Sequence, residues 1–153
     1  MRISRALAGV SLMLAILVGG LPAALAADEP ENIIKYRRNV MKAVGANMGN
    51  LAMFAKGNIT FADNIVANAR GIREGLAMAE GLFPESTETG ETNALPKLWE
   101  DKADFEAALR DSIAAADAMV TAAGGGAIPT VIEAFRALGK TCGGCHKPYR
   151  KKH

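Results

Sequence analysis

The run Cys142-Gly143-Gly144-Cys145-His146 places two thiols and an imidazole within five residues, the densest cluster of reactive side chains in the sequence. On a helix, thiols three residues apart share one face, and the residue after the second brings an imidazole to the same side. C-x-x-C-H is the spacing at which a c-type haem is attached: each thiol bonds one porphyrin vinyl group and the histidine ligates the iron axially. The rival chemistries lack partners. A thioredoxin-like redox pair needs a preceding strand in a βαβ setting, and no such pattern is visible. A disulfide closing so short a loop contributes only about 2 kcal/mol in the chain-entropy picture. Zinc wants a fourth ligand, and the other histidine is the terminal His153. A haem-free redox or metal-binding helical module is the competing class.

Attachment of this kind also requires export, and the beginning of the chain reads accordingly. Met1 to Arg5 carries two arginines, Ala6 to Leu21 is apolar or small, and Ala24-Leu25-Ala26 ends the stretch in an A-x-A pattern. That is the form of a secretory signal peptide over 1–26, leaving a domain over 27–153 in the periplasm. The rival, a membrane anchor, would have to span roughly 30 Å of hydrocarbon with about 24 Å of helix, so no membrane anchor is expected after cleavage.

The chain has 18 Lys and Arg against 16 Asp and Glu, and loss of Arg2 and Arg5 with the leader balances them at 16 each. A neutral domain has no field strong enough to hold nucleic acid non-specifically. With 22% charged residues it is not a disordered chain either. The hydrophobic half is rich in alanine and only 5% of residues are aromatic. Small side chains between helices leave room for a buried porphyrin, which supplies the missing apolar surface.

Four helical stretches must position the cluster. Over 31–56, Ile33, Ile34, Val40, Met41, Val44, Met48 and Leu51 recur at three- and four-residue steps between Pro30 and Gly57. A second helix is predicted over about 61–82, with Thr60 and Asp63 resembling a capping box. Residues 84–96 are polar and broken by proline and glycine, the one long connection. A third helix begins after Trp99, with Asp101 and Asp104 at its N-terminus, and stops at Gly124-Gly125-Gly126. The fourth follows from Pro129 and carries Cys142 and Cys145 on its apolar stripe. No segment alternates with period two, so the fold class is all-α, an antiparallel up-down-up-down four-helix bundle with the haem on the C-terminal helix.

Arg37 lies on the apolar stripe of the first helix, between Ile33 and Met41. A buried guanidinium there needs an anionic partner, and a haem propionate is one. The alternative is a side chain that reaches solvent along its stem. The acids Glu106, Asp111 and Asp117 scatter over polar faces without a paired-carboxylate arrangement, so the expectation is not an enzyme.

The position of the motif narrows the reading further, because only seven residues follow His146 and none is methionine. The chain resembles the cytochrome c′ family in Ile34-Lys35-Tyr36-Arg37 with Met41, in Glu91-Thr92-Asn93-Ala94-Leu95-Pro96-Lys97-Leu98-Trp99, and in Cys142-Gly143-Gly144-Cys145-His146-Lys147-Pro148-Tyr149-Arg150. Pro148 departs from it, since a helix interior loses a backbone donor there, and the helix kinks or ends nearby. The resemblance implies one covalent haem c, thioether bonds from Cys142 and Cys145, and proximal ligation by His146. It places Arg150 one turn on, near the proximal face; a cation complementing the helix C-terminus is its other reading. It implies propionate contacts from Arg37, with Arg38 and Thr92 as further contacts at the propionates or haem edge.

Met41 separates two mechanisms. In the cytochrome c′ pattern this residue packs on the distal face and leaves the iron five-coordinate and high-spin. In low-spin relatives a first-helix methionine is the sixth ligand, and a thioether does either. The Tyr36-Arg37 context favours the open site, able to bind NO and CO. The resemblance also implies a homodimer through the first two helices, and the basic run 147–152 suits a small acidic redox partner.

Overall fold

The computed structural model describes residues 28–152, so the leader expected over 1–26 lies outside the described residues. The helices are α1 Pro30–Ala55, α2 Ile65–Ala79, α3 Lys97–Glu100, α4 Lys102–Gly125 and α5 Ile128–Tyr149. The four long ones make the bundle, α1 packing on α2, α2 on α4 and α4 on α5. Among the described residues the only β-pairing is an isolated antiparallel bridge between Ala94 and Arg150. No described helix is long and apolar enough to cross a membrane.

The first and last helices follow the sequence pattern closely. Pro30 sits in the first turn of α1, where its missing N–H costs nothing, and Ile34, Val40, Val44 and Leu51 bury one face. Pro129 does the same for α5. Gly126, at φ +71°, closes α4 in the left-handed conformation that glycine adopts without strain. Pro148 is accommodated because α5 ends one residue later, with Arg150 extended.

The second helix is shorter than the apolar pattern predicts. Phe61 continues the stripe in sequence but is 65% exposed, so nothing holds it in a helix. A 3-10 turn over Ala62–Asn64 precedes α2, and the Thr60–Asp63 box does not form; backbone bonds to the Thr60 and Phe61 carbonyls occupy that turn instead. At the other end Glu80 turns extended and Gly81 takes φ +79°. The polar connection carries a 3-10 turn at Glu85–Thr87 and then α3, with Asp101 between α3 and α4 bonded to Lys97 rather than capping.

Alanines and a few larger side chains fill the centre: Ala69, Ile72, Ala116, Met119 and Leu138 are fully buried across α2, α4 and α5. Each buried Ile, Leu or Met contributes about 1.5–3 kcal/mol of apolar transfer. Where α1 meets α2 the Val44 side chain packs onto the bare backbone of Gly75, and a Cβ on Gly75 would lie 2.5 Å from Val44 Cγ2. A second cluster, Leu98, Phe105 and Tyr149 with Phe83 and Trp99 around it, closes one end of the bundle. Phe83 and Phe105 meet edge to face at 4.7 Å, and Phe105 and Tyr149 at 5.5 Å.

Candidate haem site

Between the two clusters lies a cavity of about 430 Å³, a volume suited to a cofactor. Every residue singled out from the sequence lines it: Arg37, Arg38 and Met41 from α1, Thr92 from the long connection, Cys142, Cys145 and His146 from α5, and Arg150 just beyond. Cys142 packs against the main core and Cys145 against the aromatic cluster, so the two thiols bracket the space.

The electrostatics follow from burial. Desolvation raises the Cys142 thiol above its ordinary value. Cys145 is pushed up to about 11, by burial first and by the neighbouring Cys142 second. Both are therefore neutral thiols near pH 7, unlike the low-pKa thiolate of a redox-exchange pair. His146 is lowered by burial and then by the Arg150 charge, which leaves a neutral imidazole with a lone pair to give. Among the lining residues Arg37, Arg38, Lys42 and Arg150 are cationic and none is a carboxylate. A cavity that is apolar inside, cationic around its rim and equipped with two thiols and an imidazole fits a porphyrin bearing two propionates.

Arg37 is buried at 4% exposure, which excludes the solvent-reaching alternative. Its Nη1 donates to Leu82 O at 3.1 Å and Thr87 Oγ1 at 2.8 Å; its Nη2 donates to Thr87 O at 3.3 Å and Thr92 Oγ1 at 2.6 Å. The guanidinium also lies 4.7 Å from the Phe83 ring centroid and 5.8 Å from that of Trp99. Neutral oxygens and π faces stand where the sequence argument expected an anion, and burial lowers this group to about 10, still a cation near pH 7. Arg38 makes only a 3.4 Å contact to Glu91 O at the surface. Arg150 is extended and exposed, and its N–H still donates to His146 O at 3.1 Å.

Sequence reasoning missed Lys42, Phe83, Phe105, Leu109 and Ser112 as lining residues. Phe105, Leu109 and Ser112 sit at helical spacing on one face of α4, so a signal was present. Ser112 is 2% exposed and its hydroxyl donates back to Ala108 O, which is how a polar group is tolerated there. Phe83 lies outside any periodic segment and had none.

A helical bundle built around a cavity of this chemistry defines a class, the c-type haem proteins of four-helix form. The sequence pattern of the cytochrome c′ family matches residues 32–150. A cytochrome c′ of Pararhodospirillum photometricum is 32% identical over 123 residues, which is 80% of this chain and 98% of that protein. The structure of cytochrome c prime from Shewanella frigidimarina superposes with a TM-score of 0.79 at 30% identity, over 82% of this chain and 99% of the other. A nitric oxide complex of a variant cytochrome c prime from Alcaligenes xylosoxidans gives 0.75 at 29% identity, over 81% and 98% of the two chains. The chain belongs to the cytochrome c′ family, whose proteins carry a covalently attached haem c.

Proposed function

We propose that this is an exported, periplasmic haem c protein, five-coordinate and high-spin, that serves electron transfer and admits NO and CO at an open iron position. The observation that carries the reading is the convergence of both thiols, the imidazole, Met41 and the rim cations on one cavity. When bound, the haem supplies a reversible Fe(III)/Fe(II) couple and a coordination position for a small neutral ligand. Cys142 and Cys145 anchor the porphyrin to α5 by thioether bonds, and His146 ligates the iron. Arg38, Thr92 and Arg150 offer donors to the propionates and haem edge, and Arg37 offers the Nε–H that its bonds to Leu82, Thr87 and Thr92 leave over. Met41 packs against the main core from the cavity side, which supports a lining role rather than a ligand role. Apolar neighbours such as Leu76 and Leu109 keep water from the iron. The relative solved with nitric oxide supports gas binding. The protein is a carrier and gas binder rather than an enzyme. One optical series tests this: a high-spin spectrum in both oxidation states, shifted by CO when reduced, is the expected result. A low-spin reduced protein inert to CO contradicts the open site, and a colourless one without a haem mass adduct contradicts the haem.

A homodimer through α1 and α2 belongs to the same proposal, supported by the exposed Tyr36, Met53, Phe61 and Met78 on those helices and their connection. Lys147, Arg150, Lys151 and Lys152 are exposed beside the cavity and steer a small acidic redox partner toward the haem edge. The association rate is expected to fall on the order of tenfold as salt shortens the screening length from about 30 Å to about 8 Å. A rate flat in salt removes the steering.

A further inference from the structure

The two walls of the cavity that carry Met41 and His146 share the main core but are not each other's principal packing partners. α1 packs on α2 and α5 packs on α4, and the pair α1 and α5 makes no comparable contact across the space between them. Residues 82–95 bridge that space. At one end they receive the Arg37 guanidinium of α1, whose four terminal N–H groups go to Leu82 O, both Thr87 oxygens and Thr92 Oγ1. Thr87 is fully buried and its hydroxyl donates on to Pro84 O, while Trp99 Nε1 donates to Phe83 O and Pro84 O, so this end is held from several sides. At the other end the segment pairs with the chain leaving α5: Leu95 N–H donates to Tyr149 O, Lys151 N–H to Asn93 O, and Lys151 Nζ to Thr92 O.

We propose that residues 82–95 are a strap that sets the separation of α1 from α5 across the cavity, and that Arg37 is the positioning residue anchoring it. The arrangement suits the task because a guanidinium is planar and presents a fixed fork, so four bonds from one group fix both distance and orientation. Hydrogen bonds from a charged donor to buried acceptors are also stronger than neutral ones. Arg37 therefore acts on the iron site through the strap, whatever contact its remaining Nε–H makes. For its spectroscopic part the proposal rests on the haem reading above; its structural part does not.

The test compares Arg37→Gln with Thr87→Val in the haem-loaded protein. Thr87→Val keeps the Arg37 charge and removes an acceptor that does not line the cavity. In both variants the amides of Leu95 and Lys151 are expected to exchange hydrogen about tenfold faster or more, while those of Ile72 and Met119 in α2 and α4 keep their rates. The CO association rate of the reduced protein is expected to change in the same direction in both. Wild-type exchange at Leu95 and Lys151 in Thr87→Val overturns the strap. So does a CO rate altered by Arg37→Gln alone, the mark of an Arg37 that acts only as a counter-ion. Should Arg37→Gln not fold, Thr87→Val decides by itself. A protein that carries no haem overturns the functional reading instead, and the exchange arm then still judges the strap.

Discussion

Replacing Cys142 and Cys145 together by serine is expected to yield a chain whose intact mass equals that of the polypeptide and whose solution lacks haem absorbance. Serine hydroxyls form no thioether, and His146 alone provides no covalent hold. The consequence reaches beyond colour. An empty cavity costs about 24 cal/mol per Å³ of residual volume, so about 430 Å³ sets a ceiling on the order of 10 kcal/mol. The mouth of the cavity already admits water, which keeps the real cost below that ceiling. Even a third of it is a large part of the 5–15 kcal/mol that typically holds a domain together. The double variant is therefore expected to melt far below the haem-bearing protein, or to lose a cooperative transition altogether, as read by circular dichroism. Haem retained in the double variant at an unchanged melting temperature contradicts the assignment of both cysteines as anchors.

Met41→Ala is expected to leave the iron high-spin and to raise the CO association rate by about tenfold or more, the change that about 1.4 kcal/mol of relieved packing produces. Met41 is partly buried and lies between the cavity and the main core, so truncating it opens space on the cavity side. The opposite mechanism gives an opposite signature. If the thioether ligates iron, the unaltered protein is low-spin, barely reacts with CO, and turns high-spin only when Met41 is removed. The two outcomes differ in the spectrum before any rate is measured.

The helices and the haem cluster were legible because both depend on local spacing. Buried positions recur every three or four residues along α4 and from Ile34 to Val44 in α1, and Cys142, Cys145 and His146 converge through the geometry of a single turn. The ends of α2 were not legible, since Phe61 continues an apolar stripe that the structure leaves in solvent. Arg37 was readable as a buried cation but not as an anchor. Its acceptor Thr87 is 50 residues away, in a polar stretch without periodicity. The same holds for the pairing of Ala94 with Arg150, where a short extended segment follows a helix-ending proline that by itself says only that the helix stops.

The cavity takes its walls from helices far apart in the chain, with more than a hundred residues between Met41 and His146. Individual helices form in about a microsecond, whereas contacts over such separations must first meet the entropy of closing a long loop. The thiols of α5 thus belong to a locally formed helix before α1 and the strap complete the pocket. During that interval Cys142, Cys145 and His146 face solvent, reachable by a bulky planar group and by whatever catalyses its attachment. Bonding the porphyrin to the open α5 first and folding α1 over it second would avoid passing a bulky planar group into a closed bundle. On that order haem attachment would be a step in folding, the group entering while the chain is still open.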